Sequence, residues 1–324
     1  MYPGLSNKVY LLGGPGDLSQ RERDGPLKAE CPENARMPLL ARIAKGLKRM
    51  ANKKGVYPTS YVSYKDDQAD LVDDAVIEEG LVCIFVNGQE LATFMCTPHN
   101  LDELALGFMR SEGFIQSLDD IEVLTLSDNG TCVDIWLRDL SFKPPSRGII
   151  TSGCGGGVTF DDLSGRQTPL AGQRTVTPAQ VASLMKKLYL AAELYNEVRG
   201  VHTSALSDGQ ELLLVTQDVG RHNTIDRLWG QALKQDLPTE GHILLTSGRI
   251  SSEMLNKTAK MGVPVAISHT SPTSLSVELA RAWNITLIGY ARGKSFRAYS
   301  APERILLEDK RISRIGEWEL EIGD

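Results

Sequence analysis

Paired apolar runs in the first half of the chain predict two β-hairpins. The runs LVCIFV and QELATFM flank Asn87-Gly88, and IEVLTL and TCVDIWL flank Asp128-Asn129-Gly130. Asn-Gly between two apolar runs is a strong hairpin signal, because both turn positions favour a positive φ. We therefore expect two strand pairs in this region, each closed by a short turn.

A helix is predicted between the two hairpins. Asn100 stands at an N-cap position with Glu103 three residues later, and the apolar run ALGFM follows. This spacing favours a capping box, in which the cap side chain and the glutamate each bind a backbone N–H. Together these elements predict a small α+β domain over residues 76–145, preceded by an N-terminal extension over residues 1–75.

The second half of the chain alternates strand-like and helix-like patterns. Thr177, Pro178 and Gln180 predict the start of a long helix, with a cap residue, a proline at the first position and a partner at the third. Helical stretches then separate four apolar runs, ELLLVT, HILLTS, VPVAIS and ITLIGY. Such alternation predicts an α/β domain over residues 146–324 with a mainly parallel sheet covered by helices.

Polar segments follow all four of these strands. They are Gln217 to Asn223, Ser247 to Ser252, His269 to Ser274 and Tyr290 to Ser295. Ligands of such sheets bind at the carboxyl ends of the strands, so we expect these segments to converge on one site.

The chemistry of the four segments favours a phosphorylated ligand. Arg221, Arg249, Arg292 and Lys294 supply positive charge, and helix N-termini after the first two strands supply N–H donors. His222 has a side chain that can donate to a phosphate or transfer a proton, although a structural hydrogen-bonding role is equally compatible with its position. His202 is open to the same two interpretations.

One cysteine, Cys154, lies among four glycines in the segment RGIITSGCGGG, which runs from Arg147 to Gly157. Glycine places no side chain in the way of a reactant, and flanking N–H groups favour the nucleophilic thiolate. The segment therefore predicts either a reactive thiol or a tight turn that contains a cysteine. Cys83, Cys96 and Cys132 lie in strand-like runs and are expected to be buried as small hydrophobic residues.

Composition and charge narrow the class of protein. The net charge of −6 argues against nucleic acid as the main ligand. Five cysteines without regular spacing favour a reducing compartment, and we expect a cytoplasmic protein without a membrane segment, a secretory signal or a bound metal. Seven basic and no acidic residues lie between Arg36 and Lys54, where the apolar spacing predicts a basic amphipathic helix.

Six motifs in order resemble the formate dehydrogenase accessory sulfurtransferase family. They are RGIITSGCGGG, GVHTSAL, QDVGRHNTIDRLWG, LLTSGRISSEMLNKTAKMGVPVAIS, SPTSLSVELARAWNITLIGYARG and APERI. The resemblance runs from about Leu81 to Ile305 and implies a homodimer whose C-terminal domain has a three-layer fold like that of cytidine deaminases.

The same resemblance implies a function and a set of site residues. A cysteine desulfurase would load sulfur as a persulfide onto Cys154, for delivery to the molybdenum- or tungsten-bis(molybdopterin guanine dinucleotide) cofactor before its insertion into apo formate dehydrogenase. Residues expected to bind the cofactor are Tyr290, Ala291, Arg292, Gly293, Lys294 and Ser295, together with Arg221, His222, Ser247 and Arg249.

One departure from the family pattern keeps a second interpretation open. Many members carry two cysteines in the loop as C-x-x-C, whereas this chain has Gly157 at the second position. An internal disulfide cannot then release the sulfur, so a non-catalytic chaperone for the cofactor is the alternative function. A nucleotide-binding regulator is a weaker option. A zinc deaminase is disfavoured, because His202-Thr203-Ser204 lacks the glutamate and the chain lacks the P-C-x-x-C pair that such enzymes use.

Overall fold

The computed structural model describes residues 9–10, 55–127, 130–145, 149–150, 158–159, 168–172 and 174–307. The predicted basic helix between Arg36 and Lys54 lies outside these residues, as do Cys154 and the four glycines around it. The strands are β1 (Val9–Tyr10), β2 (Val56–Lys65), β3 (Gln68–Ile77), β4 (Gly80–Val86), β5 (Gln89–Cys96), β6 (Ile121–Leu126), β7 (Cys132–Leu137), β8 (Ile149–Ile150), β9 (Val158–Thr159), β10 (His202–Ser207), β11 (Leu212–Asp218), β12 (Ile243–Thr246), β13 (Val265–Ser268), β14 (Thr286–Arg292) and β15 (Ser295–Ala298). The helices are α1 (Leu101–Ser111), α2 (Pro178–Leu190), α3 (Glu193–Val198), α4 (Arg221–Lys234), α5 (Ser252–Lys260) and α6 (Ser274–Ala282).

A five-stranded sheet of order β1-β6-β7-β4-β5 and helix α1 form what we call the N-terminal lobe. Alternate residues of its strands are buried against α1, and the rings of Phe94 and Phe108 meet edge to face with centroids 4.8 Å apart. The predicted hairpin at Asn87-Gly88 is present, with φ of 50° and 76°.

The start of α1 differs from the predicted capping box. Asn100 has a φ of 42°, and its side chain caps no backbone N–H. Its Nδ2 donates instead to the Glu103 carboxylate at 3.3 Å. The helix still begins at Leu101, so the position was right and the capping contact was wrong.

A two-stranded hairpin, β2 and β3, occupies residues 56–77, all but the last two of which lie within the predicted extension. Most of its residues are exposed on both faces. A strand that buries neither face carries no clear apolar alternation, and the sequence analysis therefore did not find this hairpin.

A six-stranded sheet of order β11-β10-β12-β13-β14-β15, with helices α2 to α6, forms the C-terminal lobe. Helix α2 packs on one face of the sheet, and α4, α5 and α6 pack on the other. Thr177 and Gln180 make the reciprocal capping bonds that the sequence predicted for α2. The chain is thus a mixed α/β protein.

The prediction that the sheet is mainly parallel is wrong. Only the β12–β13 and β13–β14 pairs are parallel, whereas the other three pairs are antiparallel. The sequence pattern gives no strand signal for β10, since its buried Thr and Ser residues resemble those of a polar loop. Because β10 runs opposite to both β11 and β12, strands β11 to β14 still share one direction. Their carboxyl ends therefore meet at one edge, as predicted.

The two lobes meet where α1 crosses α4 at very short distance. A Cβ atom at Gly107 would lie 1.7 Å from the Asp226 carbonyl oxygen, and one at Gly230 would lie 1.8 Å from that of Glu103. Only glycine on both helices permits this approach. No helix among the described residues is long and apolar enough to cross a membrane.

Candidate functional site

The first two strand-end segments are in direct contact. His222, at the start of α4, places its Nε2 3.1 Å from the Ser251 hydroxyl of the second segment. Arg221 packs against Gly248, where a Cβ atom would stand 3.1 Å from the Arg221 Cβ and 3.2 Å from Nδ1 of His202. The absence of a side chain at Gly248 thus lets Arg221 and His202 lie side by side at this edge.

The third segment joins the second to the fourth. The Ser268 hydroxyl donates to the Gly248 carbonyl at 2.7 Å, and the Thr273 N–H donates to the Ile250 carbonyl at 3.1 Å. The Tyr290 N–H donates to the Thr270 carbonyl at 2.9 Å. All four segments therefore form one continuous edge, as the sequence analysis predicted.

The fourth segment is a hairpin tip rather than a loop before a helix. Tyr290, Ala291 and Arg292 belong to β14, and Ser295 begins β15, so Gly293 and Lys294 alone form the turn. Gly293 has a φ of 56° and open space around it. The register shifts between Gly289 and Arg292, where Tyr290 has a φ of 53°. Such a bulge redirects side chains, and here Arg292, Lys294 and Ser295 are exposed while Ala291 is buried.

The remaining predicted residues divide into a structural and an exposed group. The Ser247 hydroxyl accepts the Thr203 N–H at 2.9 Å and so extends the β10–β12 pairing by one residue. Arg221 is 4% exposed. Arg249 is exposed, as is Arg292, whose Nε donates to the His269 carbonyl at 3.3 Å. Arg249 and Arg292 are thus the arginines of this edge that a ligand reaches directly.

His222 is a neutral hydrogen-bonding group. Its Nε2 lies 3.2 Å from the Glu253 carboxylate, and both side chains are buried. Burial, reinforced by the positive charges of Lys257 and Arg221, lowers the pKa of His222 to about 2. The lowered pKa leaves His222 uncharged at physiological pH, which favours the hydrogen-bonding role over proton transfer.

This buried histidine predicts a loss of stability in mild acid. Its pKa is near 2 in the folded chain and near its ordinary value of about 6.5 in the unfolded chain. Below pH 6.5 only the unfolded chain takes up the proton, so the free energy of unfolding falls by up to about 1.4 kcal/mol per pH unit until the folded group titrates. Between pH 8 and pH 5, the free energy of unfolding of wild type should fall by about 2 kcal/mol more than that of His222→Gln, measured by urea unfolding. Equal losses in the two proteins would contradict this assignment.

Two polar atoms at this edge are buried without a hydrogen-bond partner among the described residues. They are Oη of Tyr189, near the end of α2, and Nδ1 of His269 in the third segment. Their rings meet edge to face with centroids 5.3 Å apart. Burial raises the pKa of Tyr189 to about 12 and, together with Arg292, lowers the pKa of His269. Native proteins rarely bury such atoms unsatisfied, which marks both as groups available to a ligand.

Tyr189 and Glu253 are site residues that the sequence pattern does not predict. Tyr189 belongs to the apolar pattern of α2, and Glu253 resembles an ordinary exposed residue in the first turn of α5. Only the packing of these helices against the sheet brings both side chains to the edge. No signal in the sequence alone indicates either contact.

A separate cavity of about 420 Å³ lies between the two lobes. Among its lining residues only Gln217 belongs to a strand-end segment, and Glu103, Glu193 and Arg227 also line the cavity. Burial raises the pKa of Glu103. Because Arg227 is already paired with Asp218 and two acidic residues line the cavity, the arginine-bearing edge is the better place for a phosphorylated ligand. Within the described residues, no group of three His, Cys, Asp or Glu side chains is arranged to hold a metal ion.

Comparisons with known proteins place this fold in a family. The model of the FdhD/NarQ family matches residues 77–306. A relative from Staphylococcus haemolyticus, named sulfur carrier protein FdhD, is 38% identical over 260 residues, covering 78% of this chain and 98% of the relative. A protein of the same name from Staphylococcus aureus is 38% identical over 251 residues, covering 76% of this chain and 94% of its own length.

A solved structure agrees with these sequence relatives. The crystal structure of a candidate formate dehydrogenase accessory protein from Desulfotalea psychrophila matches with a TM-score of 0.67 and 25% identity. The match covers 78% of this chain and 100% of that protein. The family model and the sequence relatives agree, and the chain belongs to the FdhD/NarQ family.

Proposed function

We propose that this protein is a sulfur carrier in the maturation of formate dehydrogenase. Cys154 accepts sulfur from a cysteine desulfurase as a persulfide and delivers it to a molybdenum- or tungsten-bis(molybdopterin guanine dinucleotide) cofactor before its insertion into apo formate dehydrogenase. The names of the relatives support the general role, since two are called sulfur carrier protein FdhD. The proposal includes a homodimer working in the cytoplasm.

The nucleotide end of the cofactor binds at the strand edge. The observation that carries this assignment is the continuity of the four segments, which place the exposed Arg249 and Arg292 on one edge with the buried Tyr189 hydroxyl and His269 Nδ1. Guanidinium groups bind phosphate oxygens in a bidentate manner, and the two buried atoms offer hydrogen bonds to a polar ligand. Gly293 leaves room for the ligand at the hairpin tip.

The sulfur chemistry requires one thiol. The Cys154 thiolate attacks the outer sulfur of the desulfurase persulfide, a new S–S bond forms, and the desulfurase cysteine leaves as its thiolate. In delivery, the acceptor supplies the electron pair for its bond to the outer sulfur. The electron pair of the broken S–S bond then stays on the sulfur of Cys154, which leaves as a thiolate. Gly157 provides no second thiol, so release is by this direct attack.

A cofactor chaperone is the second candidate, and the single cysteine of the segment favours it. In that case the strand edge would bind and protect the cofactor while Cys154 carried no sulfur. Both candidates need the nucleotide site, and only the carrier needs the thiol. Nucleotide binding and sulfur loading are therefore tested separately.

Charge reversal at the strand edge tests the nucleotide site. Arg249→Glu and Arg292→Glu should each weaken GDP binding, measured by isothermal titration calorimetry, by about 10-fold or more, since a charge-assisted hydrogen bond contributes about 1.5–3 kcal/mol. Lys65→Glu, at the exposed end of β2, makes the same charge change away from the edge and should leave the affinity within about 2-fold. Unchanged GDP affinity in both arginine variants would place the nucleotide elsewhere.

A further inference from the structure

Two cysteines of the N-terminal lobe stand side by side in the sheet. Cys83 of β4 and Cys132 of β7 are register partners in a parallel strand pair. Partners in adjacent parallel strands have their side chains on the same face and their Cα atoms about 5 Å apart. This spacing falls within the range of about 4.4–6.8 Å that a disulfide bridges.

Both thiols lie on the outer face of the sheet. The core residues Val82, Ile84, Val133 and Ile135 alternate with them on β4 and β7, so the core and α1 are on the other side. Cys83 is partly exposed and Cys132 is buried beside it. An external reagent therefore reaches Cys83 first.

The neighbours of the pair position the sulfur atoms without adding charge. The Thr93 hydroxyl lies 3.5 Å from Sγ of Cys83 and 2.7 Å from the Glu90 carboxylate. The Thr131 hydroxyl lies 3.8 Å from Sγ of Cys132.

We infer that Cys83 and Cys132 form a reversible redox pair, separate from the Cys154 segment, which is oxidised by low-molecular-weight disulfides. The Cys83 thiolate attacks the disulfide, forms a mixed disulfide and releases one thiolate. The Cys132 thiolate then attacks Sγ of Cys83, forms the internal disulfide and releases the second thiolate. The two protein thiols lose two protons and two electrons, and the external disulfide is reduced to two thiols.

Cys83 and Cys132 lie where the two hairpins of the N-terminal lobe meet. In the order β1-β6-β7-β4-β5, the β7–β4 contact joins the β6–β7 hairpin to the β4–β5 hairpin. A bond here cross-links the two hairpins across the middle of the sheet.

To test this inference, the full chain is oxidised with glutathione disulfide at pH 8. The remaining thiols are blocked, and the peptides are mapped by mass spectrometry. Wild type should give a linked peptide containing Cys83 and Cys132, about 2 Da lighter than the sum of its reduced parts, and dithiothreitol should reverse it. Cys132→Ser should stop at the mixed disulfide on Cys83. Cys83→Ser should leave Cys132 unmodified. Cys154→Ser should still form the link, which separates this pair from the proposed carrier thiol.

Cys96 provides an internal control. It is fully buried, and burial with the nearby Asp218 carboxylate raises its pKa to about 12, so it should react only after unfolding. A persistent mixed disulfide on Cys83 with Cys132 unmodified in wild type would overturn the inference. A link from Cys83 to Cys31 or Cys154 instead of Cys132 would also overturn it.

Discussion

Replacing Cys154 by alanine is expected to abolish sulfur loading. Incubated with a cysteine desulfurase and cysteine, the wild-type chain should gain about 32 Da, the mass of one sulfur atom, and lose it again on treatment with dithiothreitol. The Cys154→Ala chain should gain nothing, because the methyl group that replaces the thiol cannot form an S–S bond. Intact-mass spectrometry measures both results directly.

Matched variants separate this thiol from the other cysteines. Cys83→Ser and Cys132→Ser should load sulfur as wild type does, since the proposed carrier step uses neither. Arg292→Glu should also load normally, because it affects the nucleotide site and not the thiol. A 32 Da adduct (about one sulfur) that survives in Cys154→Ala would show that another residue carries the sulfur.

The second large effect is expected at a buried ion pair of the C-terminal lobe, Asp218–Arg227, which lies where the lobes meet. Arg227 is 0% exposed, and its guanidinium binds the equally buried Asp218 carboxylate, with nitrogen–oxygen distances of 2.9 and 2.7 Å. It also donates to the backbone carbonyls of Thr97, His99 and Asn100. Arg227→Met removes all of these donors and leaves a buried carboxylate without its cation. We expect a loss of about 3–5 kcal/mol in the free energy of unfolding, measured by urea denaturation.

A double variant shows whether the charge is the cause. Asp218→Asn in the Arg227→Met background removes the uncompensated charge, and the amide oxygen can still accept the Gly220 and Asn223 N–H groups. It should recover about 1–2 kcal/mol of the loss. A loss below about 1 kcal/mol in the single variant would contradict the assignment. A double variant less stable than Arg227→Met would contradict it as well.

Local patterns were sufficient to predict the elements whose signals are short-range. The Asn87-Gly88 turn and the Thr177–Gln180 cap follow from the conformations and hydrogen bonds of neighbouring residues. The convergence of the four polar segments was also predicted, since it depends only on strand direction. The alternation of strand-like and helix-like patterns predicted the α/β class.

Contacts between distant segments could not be predicted in the same way. Asp218, Arg227, Asp226 and Lys257 are charged residues that a sequence pattern assigns to the surface, yet all four are almost completely buried where the lobes meet. Their burial depends on partners in other elements, such as the Lys257 ammonium at 2.6 Å from the Asp226 carboxylate. The position of β10 in the sheet and the contact between Tyr189 and His269 likewise depend on tertiary structure.

The most direct test of the carrier proposal follows the sulfur atom itself. The protein is loaded with ³⁵S from labelled cysteine, freed of desulfurase and mixed with cofactor and apo formate dehydrogenase, and the enzyme is then isolated. The carrier account predicts that wild type yields active enzyme with ³⁵S in its cofactor, whereas Cys154→Ala yields neither activity nor label. Full formate dehydrogenase activity supported by Cys154→Ala, without transferred label, would contradict the carrier account and favour the chaperone.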